Sequence, residues 1–192
     1  MKTYIFSNCK KSDIDVYAEK LFKTVKVTDK LIILNRGNVF YQLLPKYESE
    51  LKKYQDIHTI HRNIEIYGIT EYFGLLDTHK YRKLFSSIIT FCPEEKLKFN
   101  TAKIQIGYRK TNNSITKQIS IPWLYGYHKV TGKIPTTGYA AYYLAKQLFS
   151  CKSEDIVLVN YYGDNDDSTS KFEGHDWSFE NNWLQKKNRI FF

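Results

Sequence analysis

Apolar positions fall into two rhythms along this chain. Thr3–Phe6 and Asp29–Asn35 are short, nearly continuous apolar runs, each stopped by polar residues, the mark of strands covered on both faces. Between them, Ile14, Tyr17, Ala18, Leu21 and Phe22 recur at helical spacing over Asp13–Phe22, with Ser12 or Asp13 placed to cap the helix. Strand, helix and strand at this spacing form a right-handed crossover unit and set the class as α/β. Tyr41–Tyr54 is weaker and lysine-rich, and reads as loop and helix. Asn63–Ile69, with alternating Ile64, Ile66 and Gly68, predicts a strand; His79–Ser86 predicts a helix, and Ser87–Phe91 a strand stopped by Cys92-Pro93. Ile104–Arg109 and Ser114–Ile121 alternate around Asn112-Asn113, which predicts a hairpin, an insertion or an edge in a parallel fold. Gly138–Phe149 predicts a helix, Ile156–Asn160 a strand, Phe179–Lys187 a last amphipathic helix and Arg189–Phe192 a last short strand. No internal repeat or domain-scale linker interrupts the pattern. The expectation is one Rossmann-like domain over residues 1–192, a mostly parallel sheet flanked by helices with a β-hairpin insertion.

Composition narrows the class. A chain of 192 residues buries a sizeable core unaided, since a domain of this size hides roughly 70% of its unfolded surface. The 16 Tyr and 12 Phe exceed ordinary usage, while the 4 Pro and 9 Gly exclude a linker or low-complexity chain. Only the polar loop Gly163–Ser170 has a disordered composition. The net charge of +9 is spread, with 16 basic and 12 acidic residues up to Lys96 and 13 and 8 after it. A spread excess suits nucleotide phosphates, anionic headgroups or nucleic acid, and is equally the mark of a solvated lysine-rich surface. Cys9, Cys92 and Cys151 have neither zinc nor redox spacing, so free thiols in a reducing compartment are expected. The N-terminal residues lack a signal-peptide layout, and no run approaches ~18 apolar residues. A cytoplasmic location follows, with peripheral contact to a membrane face through charge.

Candidate chemistry gathers between Lys133 and Glu180. Pro135-Thr136-Thr137-Gly138 stands at the start of a predicted helix, where unpaired N–H groups and partial positive charge make an anion site. The two hydroxyls add donors, Gly138 permits close approach to the backbone, and Lys133 adds charge; an ordinary N-cap on Thr136 or Thr137 also accounts for the pattern. His175 and Glu180 are five residues apart, about 140° around a helix, so His175 belongs in the loop or first turn and Glu180 inside the helix behind it. The potential at a helix start keeps a histidine neutral, the state a general base needs; a surface histidine beside an acidic loop is the plainer reading. Val159-Asn160-Tyr161-Tyr162-Gly163-Asp164 ends a predicted strand, where open α/β sheets bind ligands. Its tyrosine hydroxyls can donate to a leaving phosphate, or the rings simply pack at a strand end. Asn8 and Asn35 stand at the ends of the first two strands by the same rule. His58 and His61 have metal-like spacing without a carboxylate pair to complete a site, and there is no P-loop, no GxGxxG and no DxD pair at a strand end. No metal and no cofactor are expected.

In this order the pieces resemble the sialyltransferases. That family's small motif has a Pro-Ser/Thr-Thr/Ser-Gly core, a helix, a Cys and a strand ending in Tyr/Phe-Gly, matched by Pro135–Gly138, Cys151 and Ile156–Gly163. Its His-x4-Glu motif is matched by His175 and Glu180, with Asp176, Phe179, Asn181 and Arg189-Ile190 extending the likeness. The long motif is echoed by Asn8, Ile14-Asp15 and Asp29–Asn35 without its usual cysteine and glycines, and the third motif, His-Tyr-Tyr-Asp/Glu, is missing in that form. The resemblance covers roughly the first 40 and last 65 residues. It implies a GT-A-variant fold and an inverting, metal-independent transfer of sialic acid or Kdo from a CMP-sugar to a glycan or glycolipid hydroxyl, as in lipopolysaccharide or capsule biosynthesis. It assigns His175 as general base and Glu180 as the residue that orients it or caps its helix. Thr136, Thr137 and Gly138 would hold the cytidine monophosphate and donor carboxylate, Tyr161 or Tyr162 the departing phosphate, and Asn8 and Asn35 the nucleotide. Two other classes compete: a non-catalytic nucleotide-binding or scaffold protein on the same fold, and a basic nucleic-acid-binding domain. The aromatics count against the second, because most fall on apolar periodicities that core packing explains.

Overall fold

The computed structural model describes residues 1–7, 13–34, 38–66, 69–72, 84–93, 101–108, 114–161 and 174–192. In chain order the elements are β1 (Thr3–Phe6), α1 (Ile14–Thr24), β2 (Lys30–Leu34), α2 (Asn38–Leu51), β3 (Asp56–Ile66), β4 (Ile69–Tyr72), β5 (Ser87–Pro93), β6 (Thr101–Tyr108) and β7 (Ser114–Ser120). They continue with α3 (Pro122–Thr131), α4 (Thr137–Phe149), β8 (Ile156–Val159), α5 (Trp177–Leu184) and β9 (Arg189–Ile190). The strands lie in the order β7-β6-β5-β3-β2-β1-β8-β9, with β4 paired to β3 outside that row. From β5 to β9 every neighbouring pair is parallel, and the β6–β7 hairpin extends the sheet at one edge in antiparallel fashion. This is an α/β fold with a mostly parallel sheet flanked by helices, compatible with a Rossmann-like arrangement.

The sheet separates two cores. Along β1, β2 and β8, alternate residues Tyr4, Phe6, Leu31, Ile33, Val157 and Val159 pack with Tyr17, Ala18 and Leu21 of α1 and with Leu43, Leu44 and Leu51 of α2. The intervening Ile5, Ile32, Ile156 and Leu158 pack with Ala140, Ala141, Leu144 and Ala145 of α4, Leu124 of α3 and Leu184 of α5. Strands covered on both faces must read as unbroken apolar runs, as these do. Among the described residues no helix is long and apolar enough to cross a membrane.

Strand order grows from β1 through β2 and β3 to β5 on one side and reverses to β8 on the other. Such a reversal opens a crevice beyond the carboxyl ends of the two diverging strands. Here those ends are Phe6-Ser7 and Val159-Asn160. Ser7 bonds across them, its N–H to the Val159 carbonyl at 3.1 Å and its hydroxyl to the Asn160 carbonyl at 2.7 Å.

Several elements differ from the sequence reading. β3 begins at Asp56, well before Asn63, and β4 begins at Ile69. On β3, His58 and His61 fall on opposite faces, because an odd separation along a strand alternates sides, so they do not form a ligand pair. β5 runs through Cys92-Pro93; its pairing with β3 ends at Phe91, so the missing Pro93 N–H interrupts no ladder on that side. The last helix starts at Trp177 because the Asp176 carboxylate caps the Phe179 N–H at 2.9 Å. The helix α3 was not anticipated. Pro122 fits its first turn, and Gly132 ends it at φ 66°, its N–H on the His128 carbonyl at 2.8 Å. The expected helix His79–Ser86, except its last three residues, and the turn Asn112-Asn113 lie outside the described residues.

Candidate functional site

The cradle forms where α4 meets the carboxyl edge of the sheet. Thr136 is the N-cap of α4, its Oγ1 accepting the Tyr139 N–H at 3.1 Å. The helix runs opposite to the parallel strands. Its first turn lies against Tyr161, just past β8, and its last residue, Phe149, lies against Lys30 and His58 at the start of β2 and β3. The helix start therefore faces the crevice, where the alignment of its peptide dipoles favours an anion.

His175 enters the same corner from the other side. It immediately precedes the α5 cap Asp176, as the spacing predicts for a loop residue. The segments 132–136 and 174–176 run side by side, joined by the Ile134 N–H on the Gly174 carbonyl at 3.2 Å and Lys133 Nζ on the His175 carbonyl at 3.2 Å. His175 Nδ1 lies 2.7 Å from the Ile134 carbonyl oxygen. A carbonyl only accepts, so Nδ1 carries a proton, and in the tautomer this contact selects Nε2 is the nitrogen without one. One edge of the ring is thus anchored two residues before Thr136.

Glu180 belongs to the cradle itself. It is buried, and its Oε1 accepts the Thr136 N–H at 2.7 Å and the Tyr127 hydroxyl at 3.0 Å, while Oε2 accepts the Thr136 hydroxyl at 2.5 Å. The cap of α5 is Asp176, not Glu180, and the carbonyl that orients His175 belongs to Ile134. Glu180 instead fixes the residue that caps α4. Tyr127 completes the clamp: its hydroxyl also receives the Asp176 N–H at 3.2 Å, so one phenol from α3 joins the His175 loop to the Glu180 carboxylate. Burial, and then the nearby Glu180 charge, raises the Tyr127 pKa well above the ordinary tyrosine range, which keeps it a donor. Tyr127 was missed in the sequence because α3 was missed. The available signal was Pro122 and Gly132 flanking Leu124, Tyr127 and Thr131, three to four residues apart.

The structure also revises Gly138 and Tyr161. What approaches Gly138 is the Tyr161 ring: a Cβ built on the glycine would lie 2.6 Å from Cε1 and 3.2 Å from the hydroxyl. Tyr161 is part of the core, and its hydroxyl is buried beneath the helix start, so it floors the cradle instead of reaching into the crevice. Gly138→Ala is therefore expected to destabilise the protein by about 1–2 kcal/mol: overpacking a fixed ring costs roughly 1–3 kcal/mol, against up to ~1 kcal/mol gained from alanine's helix propensity. Thermal unfolding measures this, and Gly138→Ala with Tyr161→Leu should recover much of the loss. If Gly138→Ala alone raises the melting temperature, the close approach has no energetic weight.

Thr137 is the half-buried first residue of α4, beside the cap. Asn8, Asn35 and Tyr162 lie outside the described residues. Cys151 is a free thiol 3.2 Å from the Thr3 hydroxyl. Among the described residues no group of three His, Cys, Asp or Glu side chains is placed to hold a metal ion. Compared with known proteins, the chain matches no family model, no curated protein and no solved structure.

Proposed function

We propose that this chain is an inverting, metal-independent glycosyltransferase on a sialyltransferase-like variant of the α/β fold, moving sialic acid or Kdo from a CMP-sugar to a glycan hydroxyl. The observation that carries the reading is the 2.7 Å bond from His175 Nδ1 to Ile134, which holds the histidine of one motif beside the Pro135–Gly138 turn of the other. In the reaction, Nε2 takes the proton of the acceptor hydroxyl, the acceptor oxygen attacks the anomeric carbon from the face opposite the phosphate, and CMP leaves with the bonding electron pair. The start of α4, with Thr137, Gly138 and Lys133, binds the cytidine monophosphate and donor carboxylate. Tyr162 meets the departing phosphate, and Asn8 and Asn35 meet the nucleotide; these roles rest on the motif resemblance. A lipid-linked acceptor at the inner membrane face suits the lysine excess.

One observation favours the non-catalytic alternative. The Glu180 carboxylate already sits on the Thr136 N–H and hydroxyl, donors that an incoming phosphate would use. Isothermal titration with CMP, followed by CMP release from CMP-sialic acid and CMP-Kdo over a panel of acceptors, separates the readings. CMP binding with turnover supports the transferase. CMP binding without turnover of any donor supports the scaffold protein. DNA binding with a steep salt dependence and no CMP binding supports the nucleic-acid reading.

A further inference from the structure

At the end of the sheet opposite the cradle, three buried polar side chains meet the Asp56 carboxylate, which is 32% exposed. Lys30 opens β2, Asp56 opens β3 with His58 two residues on, and Ser87 opens β5; the parallel registers Lys30↔Asp56 and His58↔Ser87 set them side by side. Lys30, His58 and Ser87 are 8%, 6% and 3% exposed, too little for bulk water to compensate a misplaced charge. His58 Nε2 lies 2.6 Å from Asp56 Oδ1, and Nδ1 lies 2.7 Å from the Ser87 hydroxyl. Lys30 Nζ donates to Asp56 Oδ2 and stands 3.3 Å from His58 Nε2. An ionised carboxylate only accepts, so Nε2 carries the ring proton, and Nδ1 of the neutral ring accepts from Ser87. Phe149, the last residue of α4, stacks on the imidazole at 4.3 Å and 30°, and the Lys30 ammonium lies 4.6 Å from the centre of the same phenyl ring.

The arrangement suits a neutral imidazole and strains a charged one. A second proton, on Nδ1, reverses the Ser87 bond and places a cation 3.3 Å from the Lys30 ammonium, where little water can screen the two. Among the described residues, Asp56 on the same strand favours the charged ring and Lys30 on β2 opposes it. Ser87 on β5 and Phe149 on α4 bring no charge. One carboxylate would then face two cations. Burial above all, with help from Lys30, outweighs Asp56 and lowers the His58 pKa.

We propose that Lys30, Asp56, His58 and Ser87 form an acid-sensitive latch that holds the last turn of α4 against the amino edge of the sheet. The latch does not depend on the transferase reading. It acts on the helix whose opposite end, 13 residues away, carries Thr136.

The sign follows from linkage. A histidine whose folded pKa lies below its unfolded value of about 6.5 contributes stability that is complete above that pH and is lost as pH falls below it. Asp56 is also lowered, chiefly by the His58 hydrogen bond, so its contribution is lost only in a more acid range, below about 4. The two windows are separable.

The test is hydrogen exchange by mass spectrometry on the intact protein between about pH 7.5 and about pH 5, with rates corrected for intrinsic pH dependence. Wild type is expected to lose protection in residues 145–151 and 56–61 on acidification. His58→Gln should lose none, and Lys30→Met, which removes the opposing cation, should lose less than wild type. An equal acid-induced loss in His58→Gln overturns the latch. Should that variant not fold, ring NMR of the wild type decides: His58 must titrate below free histidine, and a midpoint at or above it overturns the proposal.

Discussion

Glu180→Ala is expected to lower stability by about 3 kcal/mol, because it strands three donors at once, one buried and two half-buried, and a buried donor left unpaired costs about 1–3 kcal/mol. Those donors are the Thr136 N–H, the Thr136 hydroxyl and the Tyr127 hydroxyl, and Tyr127 is itself 2% exposed. In a chain of this size the loss appears as a fall of roughly 6–12 °C in melting temperature. It is a large part of a total that for most domains is only about 5–15 kcal/mol. Glu180→Gln separates charge from hydrogen bonding. Its amide oxygen can replace Oε1, which accepts from the Thr136 N–H and Tyr127, while its NH2 replaces Oε2 opposite the Thr136 hydroxyl. That hydroxyl can turn and accept, so the amide should cost much less, on the order of 1 kcal/mol. Tyr127→Phe should fall between the two, because it removes the bridge from the Asp176 N–H to the carboxylate and leaves the Thr136 bonds. Urea titration of the three variants followed by circular dichroism gives the ranking. If Glu180→Ala falls within about 0.5 kcal/mol of wild type, the carboxylate does not hold the cradle.

The sequence showed strands better than the contacts between them. Thr3–Phe6, Lys30–Leu34 and Ile156–Val159 could be read because both faces are buried, and that leaves an unbroken apolar run with no competing explanation. The first half of β3 could not. Asp56, His58, Thr59 and His61 are polar, and polarity reads as exposure unless the partners are known. Here the partners Lys30 and Ser87 come from other strands. Helix α3 was hidden for the opposite reason. It exposes Tyr125 and Val130 and contains Gly126, so its apolar stripe is blurred; Leu124 and Tyr127 are buried and Trp123 is partly buried against the core. The site followed the same division. Motif order singled out Thr136, Gly138, His175 and Glu180, and the structure brings them together at one helix start. Their roles within it depend on residues far away in sequence. Gly138 is small because Tyr161 lies against it, and Glu180 faces Thr136, 44 residues earlier. Spacing along a chain carries no information about such a pairing until both helices have been placed on the sheet.

His175→Ala is expected to reduce the turnover of a CMP-sugar by about 10²–10⁴-fold, the span that a positioned general base contributes. The affinity for CMP should change little. The ring is anchored to the Ile134 carbonyl through Nδ1, and the start of α4 is held independently by Glu180 and Tyr127. The defect should therefore appear in kcat, with the donor KM nearly unchanged, as expected when an interaction made only in the transition state is lost. The pH profile supplies a readout that a merely structural defect does not move. In the wild type, kcat/KM should fall on the acid side as Nε2 becomes protonated, and in His175→Ala that limb should vanish while the residual rate stays flat. His175→Asn is the stricter control, since its side-chain amide can still donate to Ile134 and preserve the loop without offering a base. If His175→Asn keeps wild-type turnover, proton removal lies elsewhere and His175 only positions the loop. If both variants lose turnover but only His175→Ala also loses CMP binding, the ring has two duties, and the Ile134 bond is the one that shapes the cradle.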